Sequence, residues 1–144
     1  MVFDRAQTHG ATDVIAAVST AAGPSPRGIV RMSGAGALDL LAALCPAGLP
    51  PRRSYRAFDA ELRLGDLLLP ARIYVMRAPA SYTREDVVEI HTFGTPVLQR
   101  ALLAELAARG ARPAGPGEFT RRAFLNGRID LAQAEAVEAL IHSR

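Results

Sequence analysis

Two charged side chains sit where their neighbours are apolar. Arg31 falls in the run 28–32, among Ile29, Val30 and Met32. It either reaches water from a strand end, or it pairs with a carboxylate or holds an anion. Glu89 lies between Val88 and Ile90, so on a strand its side chain occupies the opposite face from theirs. Plain exposure explains that placement. The alternative is a carboxylate that accepts two hydrogen bonds from the N–H and NH2 edge of an amino-substituted heterocycle. Tyr82 supplies either an apolar wall with a hydroxyl or one more core aromatic. Phe119 and Phe124 share a short helical segment that must bury one face, which points both to the core. The serines, the three histidines and Cys45 form no nucleophile and base spacing, so the chain reads as non-catalytic, with no catalytic residue assigned. His9, His91 and His142 are too scattered for a metal site, and none is expected.

Composition narrows the classes further. The 144 residues suffice for one domain with a sizeable core, and 49% hydrophobic with 22% charged residues is the balance of a soluble globular chain. All 17 basic side chains are arginine. Without lysine there is no Schiff base and no phosphate-binding loop of the G-x-x-x-x-G-K-[ST] type. The single cysteine, Cys45, has no disulfide partner and reads as a small buried hydrophobe. No apolar run reaches membrane-spanning length and the N-terminus lacks a secretion-signal layout, which gives the expectations of no membrane and a cytoplasmic location. The net charge of +3 permits RNA contact, with Arg52, Arg53 and Arg56 beside Tyr55 and the pair Arg121 and Arg122 as small basic clusters.

The elements that must position these residues are strands with helices interleaved, rather than alternating strand–helix–strand units. Residues 14–19 and 28–32 read as strands that pair with each other, and 35–44 as a helix ended by Pro46. Residues 55–64 and 67–76 flank Gly65 and Asp66 as a hairpin. Residues 87–92 form a further strand, and a helix starts at Pro96 and ends near Gly110. A short helix then begins at Glu118 and stops at the left-handed residues Asn126 and Gly127. Asp130 with Gln133 makes a capping box for a last helix, whose apolar positions are Leu131, Ala134, Val137, Leu140 and Ile141. The fold class expected is a single α+β domain with a mixed or antiparallel sheet and packed helices.

Residues 116–136 resemble the "PGEFT-x-RAFLNG-x-x-DL-x-QAEA" signature of the tRNA-modification GTPase family MnmE, also called TrmE. Three further blocks stand in the family's order. Residues 13–20 resemble "DTI-x-A-x-A-T", 28–34 resemble "I-x-x-R-[IL]-S-G", and 81–90 resemble "SYTGED-x-x-E". The chain departs from the pattern at three places. The loop Ala21 to Pro26 differs, Arg84 stands at the "TGED" glycine, and Phe93, Gly94 and Thr95 replace part of an "HGGP" run.

The resemblance implies an N-terminal module that binds 5-formyltetrahydrofolate or a related one-carbon tetrahydrofolate and forms a homodimer. It implies a fold similar to the folate-binding region of glycine-cleavage T-proteins. By motif position it implies Arg31, Tyr82, Thr83, Glu89, Arg122 and Asn126 as folate-binding candidates. The pterin, aromatic linker and glutamate tail of a folate want one carboxylate, apolar walls and arginine. The implied divisions are an N-terminal tail over 1–12, the folate-binding and dimerisation domain over 13–127, and the truncated start of a helical domain over 128–144. Apolar helical spacing still running at Leu140 and Ile141 accords with a longer polypeptide. GTP, Mg and K belong in this reading to a GTPase domain elsewhere in that polypeptide. The implied partners are the flavoprotein MnmG and tRNA, with modification of the wobble uridine as the outcome. Two alternatives stand beside it: a stand-alone folate-dependent one-carbon transferase and an arginine-driven RNA-binding domain.

Overall fold

The computed structural model describes residues 13–19, 25–52 and 56–143. The tail 1–12, most of the altered loop before Ser25, and Arg53 and Tyr55 of the basic cluster lie outside the described residues. The chain runs β1 (Ile15–Val18), β2 (Ser25–Ser33), α1 (Ala37–Leu44), β3 (Ala57–Leu64), β4 (Leu67–Met76), β5 (Val87–Gly94), α2 (Pro96–Ala108), β6 (Arg112–Pro113), α3 (Glu118–Leu125) and α4 (Leu131–His142). The sheet order is β3-β4-β5-β2-β1-β6. Every neighbouring pair is antiparallel except β1 with β6, which makes the sheet mixed and the fold α+β as expected.

Period-two alternation splits the sheet into two faces. Val30 and Met32 of β2, Val88 and Ile90 of β5, and Ile73 and Val75 of β4 point into one core, where most are fully buried. Leu41 and Leu44 of α1 and Leu102 and Leu106 of α2 close that core from the helical side. Each such side chain removed from water contributes about 1.5–3 kcal/mol. Cys45 is part of this core, and burial pushes its thiol pKa up. The other face carries Arg31, Glu89, His91 and Tyr74. Register sets Arg31 directly across from Glu89 and Glu89 across from Tyr74.

The hairpin turns at Gly65, whose φ of 60° is the left-handed conformation glycine adopts without steric cost. Pro96 opens α2 at its first turn. Asp130 and Gln133 make both bonds of the capping box that starts α4.

Four sequence expectations need correction. β2 extends to Ser33, so Arg31 is inside the strand and paired rather than at its end. At the end of α3 only Gly127 is left-handed, with φ of 74°, while Asn126 keeps φ of −88°. Of the apolar positions expected for α4 only Ala134 is fully buried, and Leu131, Leu140 and Ile141 are exposed. The two-residue β6 has no counterpart among the expected strands, because a strand so short has no period to detect.

Candidate functional site

Arg31 is held in place from beneath. Its Nε and Nη2 donate to Glu89 Oε2 at 2.8 and 2.5 Å, and His91 Nε2 lies 3.1 Å from Glu89 Oε1. The His91 ring packs on Tyr74 with centroids 4.6 Å apart. Strand geometry explains the arrangement: residues 89 and 91 share a face two positions apart, and 31 is the cross-strand partner of 89. The Glu89 side chain is only 17% exposed. Burial pushes its pKa up, yet the hydrogen bonds from Arg31 and His91 outweigh that, and the carboxyl sits below its ordinary 4.5.

The upper side of Arg31 looks into a cleft. Its guanidinium carbon is 5.9 Å from the ring centre of Phe119, a cation–π distance. Arg31, Tyr82, Phe119, Thr120, Val137 and Ile141 are among the residues that line a hollow of about 330 Å³. Two apolar α4 side chains and two aromatics thus face one arginine. The Tyr82 hydroxyl bonds Thr120 Oγ1 at 3.0 Å and fixes the ring as a wall.

Behind that wall lies a second polar cluster. Arg122 reaches Asp13 Oδ1 at 2.5 Å, the Asp13 carbonyl at 2.8 Å and both Glu85 oxygens at 3.2 Å. Arg112 donates to Asp13 Oδ2 at 2.8 Å and to both oxygens of Glu118. Ser33 Oγ bonds Glu85 and Thr83 Oγ1, and Asn126 Nδ2 donates to the Thr83 carbonyl at 2.7 Å. Burial raises the pKa of Asp13 and Glu118. The bonds from Arg112, with Arg122 acting on both groups and the Gly115 N–H on Glu118, reverse the shift and hold both carboxyls below their ordinary values.

The six candidate residues therefore separate into three groups. Arg31 and Tyr82 line the cleft. Glu89 is one layer beneath it, with Oε2 held by Arg31 and Oε1 by His91. Thr83, Arg122 and Asn126 lie outside the cleft lining and are tied into the cluster behind its wall. Tyr82 is 38% exposed, which sets aside the core-aromatic reading. Phe119 and Phe124 are half-buried rather than part of the core as expected, and Phe119 lines the cleft, a role that its helical position alone could not reveal. Sequence reasoning misses His91, whose spacing from the other histidines suggests no partner; strand alternation with Glu89 is the available signal.

A buttressed arginine on the sheet, faced by an aromatic from the 82–86 loop and one from a short helix in a family-specific sequence, invites comparison with known proteins. The profile of the family described as "GTP-binding protein TrmE N-terminus" matches residues 14–128, and the chain belongs to that family. Among curated proteins it is similar to a "tRNA modification GTPase MnmE" of Thermus thermophilus, 47% identical over 136 residues, which cover 91% of this chain and 31% of that protein. It is likewise similar to the proteins of the same description from Opitutus terrae, 48% identical over 92% of this chain and 29% of that protein, and Syntrophotalea carbinolica, 48% identical over 92% and 30%. The chain thus spans about three tenths of the length of these relatives. Among the described residues no helix is long and apolar enough to cross a membrane.

Proposed function

We propose that this chain is the formyl-tetrahydrofolate-binding and homodimerising module of a tRNA modification GTPase that acts on the wobble uridine. The observation that carries the reading is the cleft: Arg31, Tyr82 and Phe119 meet around about 330 Å³, with Glu89 directly behind the arginine. That volume lies at the lower end of the roughly 300–1,000 Å³ of small-molecule sites, and suits a flat bicycle with part of its linker. The donor set fits such a ligand. Phe119 and Tyr82 offer aromatic faces, Val137 and Ile141 an apolar wall, and Arg31 a guanidinium for an anionic or carbonyl oxygen.

In this reading the chain binds and orients the one-carbon carrier and does not itself react. Arg31 is pre-aimed by Glu89, so little rotamer freedom remains to be lost when the ligand arrives. A pterin edge reaching Glu89 would take over the oxygen that His91 now contacts. GTP hydrolysis with Mg and K, association with the flavoprotein MnmG and the engagement of tRNA belong to the larger protein.

Calorimetric titration of 5-formyltetrahydrofolate into the folded chain tests the proposal, repeated with Arg31→Ala and Glu89→Ala. Saturable binding by the wild type that both variants lose is the expected result. Absence of binding by a folded, dimeric wild type overturns the folate assignment, and folate-independent, salt-sensitive RNA binding in its place favours the arginine-driven alternative.

A further inference from the structure

We propose that Arg122 is a positioning residue for the cleft, which sets ligand affinity by locking α3 and the 82–86 loop together as one rigid wall; this rests on reading the cleft as the folate site. The wall is built from two segments far apart in sequence. Tyr82 comes from the loop, and Phe119 and Thr120 from α3. Three stitches join them directly: Tyr82 to Thr120, Asn126 to the Thr83 carbonyl, and Arg84 Nη1 to the Asn126 carbonyl at 3.1 Å. Arg122 supplies the fourth and ties the joined unit to the sheet.

Its side chain is only 11% exposed. One guanidinium reaches the loop at Glu85, the entry to β1 at both the carboxylate and the carbonyl of Asp13, and the end of β2 at the Ser33 carbonyl, 3.4 Å away. A planar fork with five donors can serve these acceptors together, whereas an ammonium on a flexible stem cannot match their directions. Arg122 follows Phe119 by three positions on α3, so any loosening of its anchor displaces the ring that faces Arg31. Within α3 only Thr120 and Ala123 are buried, while Phe119 and Phe124 are half-buried, so the polar bonds carry much of this docking.

The test uses Arg122→Lys and Arg122→Ala, with Leu106→Ala as control. Leu106 lies in the core on the opposite face of the sheet, so its truncation destabilises the fold without touching the wall. Two readouts are taken on proteins checked for folding: the Kd for 5-formyltetrahydrofolate, and amide hydrogen exchange of 82–86 and 118–125 without ligand. We expect Arg122→Lys to weaken binding by about tenfold or more. Exchange should quicken in both segments together, while Leu106→Ala lowers the melting temperature and leaves Kd unchanged. Binding by Arg122→Lys within about twofold of wild type, or exchange in the two segments no faster than in Leu106→Ala, overturns the proposal. Should the wild type fail to bind the folate, the folate reading falls, and the exchange comparison alone still decides whether Arg122 holds the wall. Should Arg122→Ala fail to fold, Arg122→Lys carries both readouts.

Discussion

Removing Glu89 strips Arg31 of both its bonds to the carboxylate and His91 of its contact with it. Both contacts to Arg31 fall on one oxygen, at 2.8 and 2.5 Å, and the side chains are 17% exposed for Glu89 and 35% for Arg31. Hydrogen bonds to charged groups contribute about 1.5–3 kcal/mol when buried, and exposed ion pairs only about 0.2–1 kcal/mol. A pair this far from full burial falls between, at a coupling of about 1–2 kcal/mol. For a domain of this size that is a fall of about 3–8 °C in melting temperature. His91 adds to the effect of Glu89→Ala, because its contact with Oε1 is lost as well.

A double-mutant cycle isolates the pair. Urea unfolding of the wild type, Arg31→Ala, Glu89→Ala and the double variant gives the coupling directly, since the His91 loss is common to both Glu89 backgrounds. High salt should reduce it only in part, as a pair shielded by strand and ring is screened less than a surface one. A coupling below about 0.5 kcal/mol, the range of independent sites, refutes the reasoning that Glu89 aims Arg31.

Acid should erode stability through named groups. The carboxyls of Asp13, Glu89 and Glu118 all sit below their ordinary values in the fold. Their stabilisation is full above the unfolded values, near 4, and is lost as the pH falls through the lower folded ones. Unfolding free energy measured against pH should therefore hold level from neutrality to about pH 5 and then decline; Glu89→Gln should flatten part of that decline, and an unchanged slope would count against the assignment. Gly117→Ala should cost about 1–3 kcal/mol, because the residue has φ of 71°, a left-handed conformation strained for a side chain, while the Glu138 carboxylate can swing away from an added Cβ; thermal unfolding no different from wild type would exclude that strain. Leu102→Ala should cost about 2–5 kcal/mol by opening a void under the sheet, read by urea denaturation.

How much of this is legible in the chain depends on the separation of the partners. Elements whose signals are local can be read directly: the Gly65 hairpin, the Pro96 helix start and the Asp130 with Gln133 capping box each lie within a few residues. The opposition of Glu89 to its apolar neighbours is legible too, since alternation is a property of one strand. What cannot be read is which groups meet across the fold. Arg31 and Glu89 are 58 positions apart, Arg122 and Glu85 are 37, and Arg122 and Asp13 are 109. No periodicity spans such gaps.

Arg84 shows what that loss of range means for a single substitution. Judged by the family pattern alone, an arginine at the "TGED" glycine is a defect, because the position has φ of 61°, which a side chain adopts at a cost of about 1 kcal/mol or more. The fold supplies a counterweight that lies 42 positions away, where Arg84 Nη1 donates to the Asn126 carbonyl at the end of α3. A cation at a helix C-terminus gains about 0.3–1 kcal/mol from the terminal carbonyls. The contact offsets only part of the strain, so Arg84→Gly should raise stability by at most about 1–1.5 kcal/mol while removing one of the stitches between the 82–86 loop and α3. A larger gain in stability would mean that the strain stands uncompensated. An unchanged rate of amide exchange in α3 would mean that the stitch carries no weight in holding the wall.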